Sequence, residues 1–120
     1  MGVASSDTVE LVVRNNKEKI EEVKRDIENQ KENNPSNCFS IVFKLMNGKN
    51  YIIPCFQNTM LYHVFLLLID KAKDSNYSNL DKLKIYYNSV DITRFFAENS
   101  NKDVAFLKLN SFYPIININT

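Results

Sequence analysis

The stretch LYHVFLLLID, residues 61–70, reads as a helix that is apolar almost all the way round. Leu61, Val64, Phe65 and Leu68 make one stripe at helical spacing. Tyr62, Leu66 and Ile69 make a second stripe, rotated from the first. A surface helix of a 120-residue chain needs only one buried stripe. Leaving the second wet forgoes roughly 1.5–3 kcal/mol for each Leu or Ile and invites association. Two stripes therefore call for two covering layers, and the rest of the chain has to be searched for them.

One layer is legible in the segments around the helix, where the hydrophobic period changes to two. CFSIVFKL and KNYIIPCF alternate like strands on either side of MNGK. Asn47-Gly48 between them is a strong hairpin signal and predicts positive φ at both turn positions. The helix is expected from about Thr59 to Lys73, with Asn58 or Thr59 as its cap. DSNYSNLD reads as a loop, KLKIYY as a strand turned by NSVD, and FFAENSNKD as a second loop. Asp103 is placed to cap one helical turn through Leu107, and FYPIININ closes as a last strand. The expected order is strand, strand, helix, strand, short helical turn, strand: an α+β domain with a sheet of four or five strands and one main helix.

The second layer has a candidate upstream. Residues 1–6 are expected to be a flexible N-terminus and residues 7–32 an amphipathic helix, with Ser6 or Asp7 as cap. Val9, Val13, Asn16, Ile20, Val23, Ile27 and Gln30 alternate spacings of four and three, a coiled-coil-like heptad seam. VELVV, residues 9–13, reads equally well as a strand, which would shorten the helix. NNPSN, residues 33–37, stops the helix and acts as a linker. Two fates for the seam stay open. It folds back over Tyr62, Leu66 and Ile69, or it makes a homo-oligomer through residues 7–32 and leaves those three to dock a partner.

From Cys38 onward the pattern resembles ubiquitin and its β-grasp relatives. Phe39, Ile41 and Phe43 alternate before Asn47-Gly48, and Tyr51, Ile53 and Cys55 after it. Leu61, Val64 and Leu68 share a helix face. Ile85, Tyr87 and Ile92 follow, and Val104, Leu107 and Leu109 precede the last strand. The resemblance covers residues 38–119 and implies a ubiquitin-like β-grasp domain. The last strand has two registers. One turns Ile115 and Asn117 inward; the other, favoured because a buried Asn117 without partners would cost about 1–3 kcal/mol, turns Ile116 and Ile118 inward. The resemblance maps ubiquitin's recognition patch to Met46, Tyr86 and two outward residues of that strand, Asn117 and Asn119 in the favoured register. Val42, Lys44, Ile52 and Tyr86 share outward parity on the sheet, a usual docking face of such folds. KDVAFLKLNSFYPIIN is also similar to the end of the ubiquitin-like domains of tubulin-folding cofactors, which implies a cytoskeletal or chaperone assembly. The given sequence closes on PIININT without a Gly-Gly tail, so a mature conjugating modifier is not expected; a modifier precursor is the weakest alternative. A Ras-binding-type β-grasp module, pairing its second strand with a small GTPase, is the stronger alternative, with Lys44 and Lys49 as its basic residues.

Chemistry is sparse. Fifteen basic residues against fourteen acidic ones give a net charge of +1, without the basic excess of a phosphate-backbone binder, so no nucleic-acid partner is expected. Cys38 and Cys55 form no CxxC pair, and in the β-grasp hairpin Cys38 and Cys55 have opposite parity, so neither a zinc site nor a disulfide is expected. His63 lies beside a core position with no nucleophile at a fixed spacing. Asp70, Asp81, Asp91 and Asp103 read as caps and turns, and two glycines make no phosphate loop. No metal, cofactor or catalysis is expected. MGVASS fits the myristoylation pattern at Gly2, so a membrane enters only if Gly2 is acylated. With no secretory signal and no apolar span of about 18 residues, a cytoplasmic location is expected. The reading is a non-enzymatic, adaptor-like protein-interaction domain, its partner another protein.

Overall fold

The structure is a computed structural model, and it describes residues 14–109 and 114–120. The heptad positions Val9 and Val13, the alternative strand at VELVV and the acylation pattern at Gly2 lie outside the described residues. Among the described residues the helices are α1 (Lys17–Asn33), α2 (Leu61–Ala72) and α3 (Thr93–Glu98), and residues 14–15 are helical as well. The strands are β1 (Phe39–Leu45), β2 (Asn50–Cys55), β3 (Lys84–Tyr87), β4 (Val90–Asp91) and β5 (Ile115–Asn119). The five strands form one mixed sheet in the order β2-β1-β5-β3-β4. β1 and β5 run parallel at its centre and every other pair is antiparallel.

The alternation of the strands decides which side is buried. Ile41, Phe43 and Leu45 of β1, Ile53 and Cys55 of β2, Ile85 of β3, and Ile116 and Ile118 of β5 are buried in one cluster with Leu61, Val64 and Leu68 of α2. Leu109 is half-buried at its margin. The last strand takes the favoured register: Ile116 and Ile118 face the core, while Ile115 and Asn117 face away. β1 and β2 pair with Phe39 opposite Cys55, which puts Cys55 in the core and leaves Cys38 half-buried. Burial pushes the Cys55 thiol up to about 12, with Cys38 adding to the shift.

α1 supplies the second layer. Ile20, Val23 and Ile27 are buried and join the same cluster as Leu66 and Ile69 of α2. Leu66 is 0% exposed and Ile69 is 1% exposed. The expectation that these two dock a partner is therefore corrected: they are interior, because the amphipathic helix folds back on its own domain. The apolar seam of α1 is occupied in the same way, so residues 17–33 present no apolar stripe to a second copy. At its rim Lys24 Nζ donates to Asp70 Oδ2 at 2.8 Å, tying α1 to α2. Of the helix expected over residues 7–32, residues 7–13 lie outside the described residues. A turn falls at half-buried Asn16, between helical residues 14–15 and α1, and Asn16 caps α1 by backbone position without a side-chain cap bond. Asn34, followed by Pro35 and a single 3-10 turn, ends the helix.

The turns differ from expectation in an instructive way. Gly48 has φ +86°, but Asn47 does not have positive φ. Gly48 N–H donates to Leu45 O at 3.0 Å and Leu45 N–H to Lys49 O at 3.0 Å, so the loop is a β-turn followed by one left-handed residue. Asn47 acts through its side chain, whose Oδ1 accepts from Lys49 N–H at 2.9 Å. The turn with two positive φ values is at Asn88 and Ser89, φ 51° and 66°, joining β3 to β4. FFAENSNKD is not a loop throughout: Thr93–Glu98 is helical and buries Phe96. Neither Asn58 nor Thr59 caps α2. Met60 is the N-cap residue, and the first helical N–H groups are met from across the fold, Leu61 by Lys102 O at 2.8 Å and Tyr62 by Ser100 O at 2.9 Å. Asp103 precedes the 3-10 turn Val104–Leu107 but makes no side-chain cap bond.

Candidate interaction face of the sheet

With Leu66 and Ile69 of α2 covered, an apolar row that stays exposed among the described residues lies on the other side of the sheet. Strand pairing lays it out row by row. Ile52 of β2 lies opposite Val42 of β1, and Val42 lies opposite Ile115 of β5. Cross-strand neighbours on one face sit about 4.5–5.5 Å apart at Cβ, so the three make a continuous apolar row. Ile52 is 53% exposed and Ile115 is 43% exposed, with Val42 half-buried between them. The next row is polar and aromatic: Asn50, Lys44, Asn117, Tyr86 and Asp91, one from each strand in sheet order. Lys44 makes no ion pair with another described residue. An apolar row beside hydrogen-bonding side chains has the makeup of a docking surface, an apolar centre with a polar rim.

Of the sequence-derived partner residues, the sheet brings four together: Val42 and Ile52 in one row, Lys44 and Tyr86 in the next. Met46 lies in the β1–β2 loop at 61% exposure, and its Sδ accepts from Thr120 N–H at 3.3 Å. Tyr62 is not part of this face. It lies on α2 at 38% exposure, its ring 6.4 Å from that of Phe65, so of the second helix stripe it alone keeps appreciable contact with solvent. Two residues of the face were missed. Ile115 completes the apolar row, and Pro54, exposed, continues it along β2 by parity with Ile52. The signal for Ile115 was present: in the favoured register it must share the outward parity of Asn117.

The free edge of the sheet beside this face has its own character. β2 is an edge strand, paired on one side with β1. The Ile52 carbonyl points to the free side, where Lys71 Nζ of α2 donates to it at 3.0 Å. Residues two apart on a strand direct their backbone groups to the same side, so Pro54 places its missing N–H on that free side too. Beyond the edge is a groove of about 470 Å³ lined by Lys24, Ile27 and Glu28 of α1, Ile52, Ile53 and Pro54 of β2, and Leu67, Asp70 and Lys71 of α2. Burial pushes the Asp70 carboxyl up, but hydrogen bonds from Lys24 and Lys73 together outweigh it and hold the group below its ordinary value.

His63 is half-buried beside α1. Burial lowers its pKa, Lys19 lowers it further, and Glu22 and Asp26 act in the opposite direction. Among the described residues no three His, Cys, Asp or Glu side chains come together as a metal site, and no helix is long and apolar enough to cross a membrane. No protein-family model matches the chain, and no curated protein matches it.

Proposed function

We propose that this chain is a ubiquitin-like β-grasp domain that works without catalysis, as an adaptor docking another protein on the open face of its sheet. The β-grasp reading is supported by the sheet order with β1 and β5 parallel at its centre and by α2 packed across one side. The observation that carries the docking reading is the exposed row Ile52, Val42 and Ile115, with Lys44 and Tyr86 beside it. The alternative, a module that pairs its second strand with a small GTPase, is disfavoured by the same edge geometry: Lys71 already occupies the Ile52 carbonyl and Pro54 has no N–H to give.

The test is site-specific photo-crosslinking from position 52, with a second probe at Lys31 on the solvent side of α1 as control. A partner of the face crosslinks from position 52 and not from position 31. Its capture falls at least about tenfold when Ile115 is replaced by Asp, a loss of the size expected for an anchor residue. Equal capture from both positions, or capture indifferent to Ile115→Asp in a variant of unchanged melting temperature, removes the sheet face from consideration.

A further inference from the structure

We propose that the free edge of β2 is a latent self-pairing edge, held shut by Lys71 and Pro54, and that the occupant it excludes is a second copy of the same strand. An edge strand presents unpaired N–H and C=O groups that another strand can join, and proteins block this with lysine, proline or a covering element. The groove of about 470 Å³ along Ile52, Ile53 and Pro54 separates this strand from α1 and α2, which line its other walls. The backbone groups of the edge itself are blocked chemically. Lys71 Nζ holds the outward Ile52 carbonyl at 3.0 Å, and two residues on, Pro54 has no N–H where an incoming strand would need a donor.

A second copy fits this edge because an antiparallel two-fold pair centred on Ile52 is self-complementary. Ile52 N–H and C=O of one copy would exchange both hydrogen bonds with Ile52 of the other, the pattern of a hydrogen-bonded antiparallel pair. Asn50 would then face position 54, where proline withholds one bond in each half. The same pairing would join the row Ile115, Val42, Ile52 of one copy to its two-fold mate in the other, giving six apolar residues in line across the six central strands of a ten-stranded sheet. Lys71 and Pro54 thus keep the exposed faces of two chains from merging into one sheet. The inference concerns the edge and stands whether or not the face binds the proposed partner.

The experiment uses the full chain with Lys71→Ala, with Pro54→Thr, with both, and with Lys71→Arg. All these side chains are exposed, so the variants are expected to keep the fold. Sedimentation across a concentration range is combined with hydrogen exchange at the Ile52 amide. The native chain and Lys71→Arg stay monomeric with a fast-exchanging Ile52 amide. Lys71→Ala dimerises weakly. The double variant dimerises more tightly, and its Ile52 amide slows with rising protein concentration by at least about tenfold, the effect of one net hydrogen bond. A double variant that stays monomeric up to about 1 mM, a range in which even a bond of about 4 kcal/mol shows, overturns the proposal. So does a dimer in which the Ile52 amide still exchanges fast, because that dimer uses another surface.

Discussion

The second face of α2 and the second face of the sheet begin from the same condition. Each belongs to an element whose first face is already in the core, and each carries three aliphatic or aromatic residues in a row: Tyr62, Leu66 and Ile69 on the helix, Ile52, Val42 and Ile115 on the sheet. Their fates differ. α1 covers Leu66 and Ile69 so completely that at most 1% of either is exposed, while about half of Ile52 remains in contact with solvent. The difference teaches that apolar residues in a row are ambiguous until the chain has used up its own covering elements. Among the described residues the amphipathic helix α1 goes to the helix face. Among the same residues, the row on the sheet face stays exposed.

The sharpest way to break this comparison is at its covered side. Leu66→Ala, like Leu68→Ala on the sheet-facing stripe, should cost about 2–5 kcal/mol in chemical denaturation, the range for truncating fully buried leucines. A loss below about 1 kcal/mol for Leu66 would mean that α1 is not a firm cover. Approached from the other helix, Val23→Ala should cost less, about 1–3 kcal/mol, since fewer methyl groups leave the core. Asp70→Asn, which breaks the α1–α2 tie, should cost at most about 1 kcal/mol at neutral pH because the pair lies at the surface. The sign of its pH dependence follows from the direction of the shift. The folded-state carboxyl lies below the ordinary value of 3.8, so its contribution is present above that value and is lost as pH falls through the folded one. The native chain and Asp70→Asn should therefore converge in stability in acid. The smallest expected effect is on the uncovered side: Ile52→Ala or Ile115→Ala should change stability by about 0.5 kcal/mol or less, as surface substitutions do. A loss comparable with that of Val23→Ala would show the sheet face to be structural. Cysteine labelling sharpens the same contrast without substitution: Cys38 should react with a thiol reagent in the native chain, and Cys55, buried with its pKa near 12, only on unfolding.

Much of this arrangement could be read from residue spacing. Period-two runs placed Phe43, Ile53, Ile85 and Ile118 on one side of the strands, and the cost of burying Asn117 chose the register of β5. These are local matters: a strand's side chains alternate whatever it packs against. Ile20, Val23 and Ile27 likewise announced an amphipathic helix. Their spacing could not say whether the stripe would meet its own domain or a second chain, because the same three side chains suit either surface. The candidate face was half legible. Val42, Lys44, Ile52 and Tyr86 followed from parity, as the outward side of Ile115 did from the favoured register, but its place opposite Val42 came only with β5 set beside β1.

What the sequence alone determined, then, is the set of elements and the side each one must bury, since these depend on covalent geometry and on the hydrophobicity of residues a few positions apart. Tertiary structure decided the rest. It closed the start of α2 with the Ser100 and Lys102 carbonyls where Asn58 and Thr59 had seemed the natural caps. It gave the double positive-φ turn to Asn88-Ser89 and not to Asn47-Gly48, made a helix of Thr93–Glu98 around the buried Phe96, and set Lys71 against the Ile52 carbonyl. The start of α2 and the Lys71 contact depend on residues far apart in the chain meeting at a fixed distance. A backbone hydrogen bond or a buried ring stabilises only through the partner it finds, and that partner is positioned by the packing of the whole core.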